Sequence, residues 1–246
     1  AIDNKEFIIH YQAQINASNN QLVGVEALVR WEHPTMGLMH PDAFIPLAEE
    51  TGMIVEIDNW VMHTAMYQIS NWYKEGLNPG VLGLNISMKQ LDKLNFLQQI
   101  ETCITSHDFN SNWLELEITE GQMMKNPEEV ITKLSALNTL GIGISIDDFG
   151  TGYSSLSLLK RLPINRLKID RSFVKDIPND EEDVAIVKAI IALAKSLKLD
   201  LIAEGVETSA QKDFLMDHGC MNIQGHYYTH PLSAEEMHAL LLEQKA

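Results

Sequence analysis

Apolar runs of two kinds alternate along almost the whole chain, and they predict a regular succession of strands and helices. Runs in which apolar and polar residues alternate predict strands, and segments with apolar residues every three to four positions predict amphipathic helices. The predicted strands are Phe7–Ile15, Leu22–Glu32, Val81–Ser87, Trp113–Thr119, Ile142–Asp148, Arg166–Asp170, Leu201–Gly205 and Met221–Tyr228. The clearest predicted helices are Ile57–Lys74, Pro127–Leu140, Asp183–Leu197 and Ser209–His218.

The order of these elements predicts a barrel. Only a short turn around Asn19 and Asn20 separates the first two strands, so we expect them to pair as a hairpin. Helices separate most of the later strands, which favours parallel pairing. Eight strands within 246 residues therefore predict an α/β fold, a (β/α)8 TIM-like barrel with an irregular start. A doubly wound open sheet is the alternative that the pattern alone leaves open.

Each predicted strand has one aliphatic face and one face that ends in polar residues. In the strand Trp113–Thr119, for example, Glu115, Glu117 and Thr119 share a face because side chains alternate along a strand. Any half-exposed strand alternates in this way, but barrel strands are covered on both faces, so polar ends are costly unless they converge on a site. The residues gathered at the strand ends are Glu26, Asn85, Glu117, Asp147, Asp148, Lys168, Asp170, Glu204 and Gln224.

This collection of side chains predicts a metal site. Carboxylates placed close together repel one another and raise each other's pKa, and a divalent cation relieves that conflict. Carboxylate and amide oxygens suit Mg²⁺ or Mn²⁺, and the adjacent Asp147 and Asp148 could serve two ions, an arrangement used for phosphoester displacement. Lys168 would be an ion-pair partner or a catalytic cation, and Arg30 a ligand for a phosphate group.

The charge and composition narrow the range of partners. A formal charge of −16 argues against binding to a nucleic-acid polymer through its phosphates. No run of eighteen apolar residues exists, so we expect no membrane contact by this sequence. The two cysteines predict buried thiols in a reducing cytosol. We expect residues 1–246 to be a single cytoplasmic domain, excised from a longer multidomain protein that could be membrane-anchored elsewhere.

Several other candidate motifs are weaker. His226 and His230 lie four residues apart, but that spacing serves a metal on a helix, and their surroundings predict strand and loop. No histidine lies in an HExxH motif, which argues against a zinc peptidase. The Asp148-Phe149-Gly150 tripeptide is not accompanied by the other protein-kinase motifs.

The polar strand ends occur in seven ordered motifs, and through them the chain resembles the EAL family of cyclic di-GMP phosphodiesterases over nearly its whole length. The motifs are Glu26-Ala27-Leu28 with Arg30, Asn85-Ile86-Ser87, Glu117-Ile118-Thr119-Glu120, Asp147 to Leu156, Lys168-Ile169-Asp170, Glu204-Gly205-Val206-Glu207, and Gln224-Gly225 with Pro231. The resemblance implies a barrel with an antiparallel first strand, cyclic di-GMP as the substrate and linear pGpG as the product.

The resemblance also implies two Mg²⁺ or Mn²⁺ ions in each active site. The first ion would be held by Glu26, Asn85, Glu117 and Asp147, and the second by Asp147, Asp148 and Glu204. We expect Ca²⁺ to inhibit, because its larger and looser coordination shell would misplace the attacking water.

The resemblance assigns further roles to residues around the ions. Lys168, Glu204 and Gln224 would be catalytic, acting on the attacking water, the scissile phosphate or the metal ligands, and Gln12, Arg30 and Asp170 would bind the dinucleotide. The chain would form a homodimer, and the residues that couple the dimer interface to the site would be Glu120, Phe149, Gly150, Thr151, Gly152 and Glu207.

Two other functions remain open at this point. One is a cyclic di-GMP-binding effector or receptor module with little turnover, which turnover by the isolated domain would exclude. The other is an unrelated metal-dependent barrel enzyme such as an enolase-type lyase, which would explain the carboxylates but not the seven motifs. A screen with cyclic dinucleotides would separate it from the first two functions.

Overall fold

A computed structural model describes residues 1–2, 4–121, 127–152 and 156–245 of the chain. Its strands are β1 Phe7–Asn16, β2 Gln21–His33, β3 Gly37–Met39, β4 Val81–Asn85, β5 Leu114–Thr119, β6 Gly143–Phe149, β7 Arg166–Ile169, β8 Asp200–Ala203 and β9 Asn222–Gln224. Its α-helices are α1 Ile45–Thr51, α2 Ile54–Lys74, α3 Met88–Leu91, α4 Phe96–Ser106, α5 Pro127–Thr139, α6 Leu156–Leu159, α7 Arg171–Val174, α8 Glu181–Leu197, α9 Ser209–His218 and α10 Ala234–Lys245.

Eight of the strands form a closed barrel with one antiparallel member. The order around the barrel is β1-β9-β8-β7-β6-β5-β4-β2, and β1 returns to pair with β2. β1 is antiparallel to both of its neighbours, whereas the remaining neighbours in the barrel pair in parallel. The short β3 lies outside the barrel, antiparallel to β2. The predicted barrel and its irregular start are confirmed, and the open sheet is excluded.

The turn between β1 and β2 explains the antiparallel start. Asn20 adopts a positive φ of 57°, a conformation that asparagine tolerates better than most residues. The side chain of Asn19 accepts a hydrogen bond from the backbone N–H of Gln21 at 3.0 Å. A connection this short reverses the chain direction, and it leaves no room for the crossover that parallel pairing needs.

The two faces of the barrel strands divide as the alternation predicts. Leu114, Leu116 and Ile118 of β5 are buried in the apolar core together with residues of the surrounding helices. Glu117 takes the other face and crowds Gly83 of the neighbouring β4, where a Cβ atom would overlap the Glu117 carboxylate. The small residue on β4 therefore makes room for a buried charge inside the barrel.

The predicted strand ends differ from the observed ones where a new turn begins. The strand predicted over Val81–Ser87 stops at Asn85, because Ser87 caps α3 by accepting a hydrogen bond from the backbone N–H of Gln90. The strand predicted over Met221–Tyr228 stops at Gln224, and backbone N–H groups of residues 228 and 229 then donate to the carbonyl of Gly225. The alternation of apolar and polar residues continues past these points, but local hydrogen bonds of the backbone end the pairing of the strands.

Among the described residues, no helix combines the length and the apolar character needed to cross a membrane.

Candidate active site

Polar side chains from most of the barrel strands converge at one mouth of the barrel, where the parallel strands end. They come from β2, β4, β5, β6, β7 and β9 and from the residue after β8. The converging residues are Glu26, Asn85, Glu117, Asp147, Asp148, Lys168, Glu204 and Gln224. The C-terminal mouth is where barrel enzymes place their chemistry, so this cluster is the candidate active site.

Lys168 lies at the centre of the cluster and is fully buried. Its Nζ atom is 2.6 Å from Glu204 Oε1, 3.2 Å from Asp147 Oδ1 and 3.6 Å from Glu26 Oε2. It also donates a hydrogen bond to Glu117 Oε2. One ammonium group thus faces four carboxylates, and the protein alone does not neutralise this buried charge.

The excess of carboxylates shifts the pKa values in the cluster. Burial, reinforced by neighbouring carboxylates, raises the pKa of Glu204 to about 8 and that of Asp148 to about 6. The pKa of Glu117 is also raised well above its usual range, by burial first and by Glu26 second. Burial alone would lower the pKa of Lys168, but the surrounding carboxylates outweigh it and raise that pKa. The metal-free site therefore retains protons until a cation replaces them.

The oxygen atoms of the cluster fit a divalent cation. Glu117 Oε1 is buried and accepts no hydrogen bond from any described residue. Asp147, Asp148 and Glu204 each offer a carboxylate oxygen, and these oxygens lie within 4.8 Å of one another. Asn85 donates its amide nitrogen to Glu26 Oε1 at 2.7 Å, which leaves its carbonyl oxygen as the possible ligand. Hard oxygen donors of this kind suit Mg²⁺ or Mn²⁺.

An irregularity at the end of β6 brings two consecutive aspartates to the same site. In a regular strand Asp147 and Asp148 would point to opposite faces. Asp148 instead has a positive φ of 53°, and the pairing of β6 with β7 shifts register at this point. Its backbone N–H donates to Asp147 Oδ1 at 3.0 Å. This bulge, a feature common next to active sites, is what lets both carboxylates face Glu204.

Three glutamines fix the opposite side of the cluster. Gln224 Nε2 donates to Glu26 Oε2 at 2.6 Å and to Gln12 Oε1 at 3.2 Å. Gln224 Oε1 in turn accepts a hydrogen bond from Gln14 Nε2 at 3.1 Å. Gln224 therefore contacts the cluster through Glu26 and holds that carboxylate in one orientation.

The residues predicted to bind the substrate lie around the cluster, and Asp170 contacts it through a side-chain hydrogen bond with Asp148. Arg30 is buried on β2; its Nη1 donates to the carbonyl of Val29, and its Nε has no partner among the described residues. Asp170 caps α7 by accepting hydrogen bonds from the backbone and side chain of Ser172, so its carboxylate already has a structural task. Glu207, which is one of the predicted coupling residues, lies exposed, with a carboxylate oxygen 3.9 Å from His226 Nδ1.

Glu120 holds the start of the loop that follows β6. Its buried carboxylate accepts hydrogen bonds from the backbone N–H groups of Gly150 at 3.0 Å and Gly152 at 3.4 Å. Gly150 has a φ of 103°, and a Cβ atom there would be 2.9 Å from the ring of Phe173. Phe149 is buried, and the Thr151 hydroxyl donates to the Asp148 carbonyl. Residues 153–155 of this motif lie outside the described part of the chain.

Asp58 of α2 contacts the site but was not a candidate in the sequence. It accepts hydrogen bonds from the backbone N–H and hydroxyl of Ser87, and burial raises its pKa to about 6. It lines one cleft together with Asn85 and Asp147. Asp58 is the single acidic residue of the predicted helix Ile57–Lys74, and this could have marked it as a candidate. The spacing of residues along the helix does not identify its partner Ser87, however.

Comparison with known proteins identifies a matching family model, similar sequences and a similar solved structure. A family model described as "EAL domain" matches residues 1–231. The bifunctional diguanylate cyclase/cyclic di-GMP phosphodiesterase MucR of Pseudomonas aeruginosa is 43% identical, over 96% of this chain and 35% of the relative. The cyclic di-GMP phosphodiesterase NbdA of the same organism is 40% identical, over 94% of this chain and 30% of the relative.

A solved structure of the MucR phosphodiesterase in complex with c-di-GMP superimposes with a TM-score of 0.93, at 43% identity and with 96% of both chains covered. This chain spans about a third of the length of the curated relatives described above.

Proposed function

The chain belongs to the EAL domain family, and from that premise we propose that it hydrolyses cyclic di-GMP to linear pGpG. The observation that carries the proposal is the buried Lys168 surrounded by four carboxylates at the barrel mouth. A receptor that only binds its ligand has no need for such an uncompensated cluster, which costs free energy to bury. The similarity to relatives named as cyclic di-GMP phosphodiesterases supports the substrate.

We assign the carboxylate and amide oxygens of the cluster to two Mg²⁺ or Mn²⁺ ions. One ion would be held by Glu26, Asn85, Glu117 and Asp147, and the other by Asp147, Asp148 and Glu204. When bound, the ions would supply Lewis-acid stabilisation for an in-line displacement at phosphorus. The bulge at Asp148 supports the shared use of both aspartates, because it brings their carboxylates to one side.

The residues of the chain would bind and orient the reacting groups. Lys168 keeps its ammonium form because of the surrounding carboxylates, and it would donate hydrogen bonds to the attacking water or the scissile phosphate. Glu204, whose pKa is raised in the metal-free site, would accept a proton from that water. Gln224 would act indirectly, by holding Glu26 in its ligating orientation.

Gln12, Arg30 and Asp170 are the proposed substrate contacts. The planar guanidinium group of Arg30 matches a phosphate, and its unpaired Nε offers a further donor. Gln12 donates to the carbonyl of Thr229 and receives a hydrogen bond from Gln224, so it links two segments of the mouth. Asp170 would contact the dinucleotide from its position as the cap of α7.

The loop after β6 is the proposed connection to a second copy of the chain. Glu120 holds Gly150 and Gly152 directly beside Asp147 and Asp148, so a movement of this loop would move the metal ligands. Phe149, Thr151 and Glu207 are assigned to the same coupling. We also propose that residues 1–246 form one homodimeric domain that works in the cytoplasm, where its free cysteines stay reduced.

The test is chromatography of cyclic di-GMP after incubation with the purified protein, once with Mn²⁺ and once with EDTA. The proposal predicts pGpG only in the sample with metal. Tight binding without product would instead support a receptor, and neither binding nor product would reject cyclic di-GMP as the ligand. Adding Ca²⁺ to the Mn²⁺ reaction should inhibit it, because Ca²⁺ prefers a larger and looser coordination shell.

A further inference from the structure

A second group of metal-ligating side chains lies on the outside of the barrel, between α2 and α4. His63 of α2 faces Cys103 of α4 and His107, the residue that caps α4. One ligand atom from each of these three residues lies within 4.8 Å of the others. None of the three belongs to the carboxylate cluster around Lys168. This group is therefore separate from the candidate active site.

Helix geometry explains how the three residues meet. Cys103 and His107 are four positions apart, so they project from one side of α4 at its C-terminal end. His63 reaches across from α2, and Met66, one turn further along α2, places its sulfur 3.2 Å from Cys103 Sγ. The cysteine and methionine side chains are fully buried, whereas His63 is exposed and leaves a path from solvent.

The two distances from His63 match those around a small tetrahedral ion. His63 Nδ1 is 3.2 Å from His107 Nε2 and 3.5 Å from Cys103 Sγ. A tetrahedral zinc ion with its usual bond lengths separates two nitrogen ligands by about 3.3 Å and a nitrogen from a sulfur by about 3.6 Å. Without an ion, one imidazole has to donate its proton to the other ring. With an ion, both nitrogens and the sulfur would share one central partner.

We propose that His63, Cys103 and His107 bind a Zn²⁺ ion that joins α2 to α4. Thiolate and imidazole are ligands that zinc prefers, and Mg²⁺ and Mn²⁺ prefer the oxygen donors of the barrel mouth. His63 is exposed, so a water molecule would be the fourth ligand, and Met66 contacts the cysteine sulfur from the buried side. The ion has to displace the proton of the buried thiol, so it binds more tightly as the pH rises.

The test uses Co²⁺ as a spectroscopic substitute for Zn²⁺ in the full chain. Co²⁺ bound to a thiolate gives a charge-transfer absorption band in the near ultraviolet, which carboxylate ligands do not produce. We expect this band to reach the intensity of about one thiolate-bound Co²⁺ per chain, whatever Co²⁺ binds to the carboxylates of the barrel mouth, and to disappear when Zn²⁺ is added. A protein that shows no such band in excess Co²⁺ would overturn the proposal.

Variants locate the band without relying on enzyme activity. Cys103→Ser should abolish it, and Cys220→Ser, which changes the other buried cysteine, should leave it intact. If Cys103→Ser does not fold, the exposed His63→Gln serves instead and should weaken Zn²⁺ binding, measured by competition with a chromophoric chelator, by roughly tenfold or more. A band that survives in His63→Gln with unchanged zinc affinity, or that is lost in Cys220→Ser, would contradict the assignment.

Discussion

Two buried clusters of charged side chains include residues of the same two barrel strands, β5 and β7. They differ in whether their positive and negative charges are equal in number. At the lower position Arg166 of β7 pairs with Glu115 of β5, with 3.0 Å between Nη1 and Oε1. Two residues further along each strand, Lys168 meets Glu117 together with three more carboxylates. The strand period of two places both clusters inside the barrel. Only the upper one lies at the mouth.

The difference separates a structural ion pair from a candidate reaction centre. Arg166 and Glu115 neutralise each other, and Gln14 accepts a further hydrogen bond from Arg166 at 3.4 Å. The upper cluster has one cation for four anions and raises the pKa values of Glu117 and Glu204. Buried carboxylates that the protein does not balance have to be neutralised either by protons or by a bound cation. We therefore attribute stability to the lower pair and chemistry to the upper cluster.

The largest expected effect is the loss of turnover when the central cation of the upper cluster is removed. Lys168→Met should lower kcat by roughly 10²- to 10⁴-fold, because a positioned proton donor and charge stabiliser is lost. KM should change much less, and this is measured by steady-state kinetics with cyclic di-GMP. Lys160→Met, at an exposed lysine, is the matched control and should retain normal rates. A Lys168→Met enzyme with altered KM alone would make Lys168 a substrate clamp.

The lower pair should show the reverse behaviour. Arg166→Met leaves Glu115 buried without its partner, and we expect the free energy of unfolding to fall by about 3–5 kcal/mol. At temperatures where the variant is folded, kcat should stay within a few-fold of the parent, because no reacting group contacts Arg166. Denaturant unfolding and kinetics on one preparation measure both quantities. If the variant has an unchanged free energy of unfolding but a much lower kcat, the division into a structural pair and a reaction centre is wrong.

The pH should act on the upper cluster through its protonated carboxyls. The folded-state pKa of Glu204 is about 8 and that of Asp148 about 6, both raised mainly by burial, so the metal-free fold binds more protons than the unfolded chain. Stability contributed by these protons is complete below the pKa values of the unfolded chain, 3.8 for Asp148 and 4.5 for Glu204, and it is lost as the pH rises to about 6 for Asp148 and to about 8 for Glu204. Apparent Mg²⁺ affinity should change in the opposite sense, falling up to roughly tenfold per unit as the pH is lowered.

Thermal melts between about pH 5 and about pH 8, with EDTA and with Mg²⁺, test this linkage. The metal-free Tm should decrease as the pH rises, and the difference between the two melts should widen. A difference that narrows toward high pH would mean that the carboxylates are not the metal ligands.

The smallest expected effect concerns the loop next to the upper cluster. Glu120→Gln keeps the shape of the side chain but removes the charge that accepts the Gly150 and Gly152 hydrogen bonds. A loss of about 1 kcal/mol corresponds to roughly a fivefold weaker apparent Mn²⁺ affinity, because the loop holds Asp148 in place. Glu101→Gln, at an exposed glutamate of α4, is the control for calorimetric titration. An unchanged Mn²⁺ affinity in Glu120→Gln would mean that this loop does not hold Asp148 in place for metal binding.

Much of this arrangement follows from the sequence by alternation alone. The parity of Trp113–Thr119 and Arg166–Asp170 assigned Glu117 and Lys168 to the inner face, and the structure puts them in contact. The same parity would have sent Asp148 to the outer face. Its positive φ and the register shift depend on one residue's backbone, which no periodic pattern encodes.

Contacts between side chains of separate segments could not be predicted from the sequence either. Asp58 and Ser87 meet because α2 packs beside the end of β4, and Cys103 meets His63 because α4 packs on α2. Neither residue of such a pair is distinctive within its own segment. The contact can be identified only when the packing of the two segments is known. The overlong strand prediction at Met221–Tyr228 failed for a related reason, since the turn at Gly225 is fixed by hydrogen bonds.

The number of Mn²⁺ ions that bind tests the central claim most directly. Calorimetric titration of the metal-free protein should give two Mn²⁺ per chain, and Glu117→Gln should weaken or remove at least one of them. Glu115→Gln, the matched change two residues away on β5, should leave both ions in place. If the parent binds no Mn²⁺, or if the two variants bind it equally, then the unbalanced charge around Lys168 does not mark a metal centre.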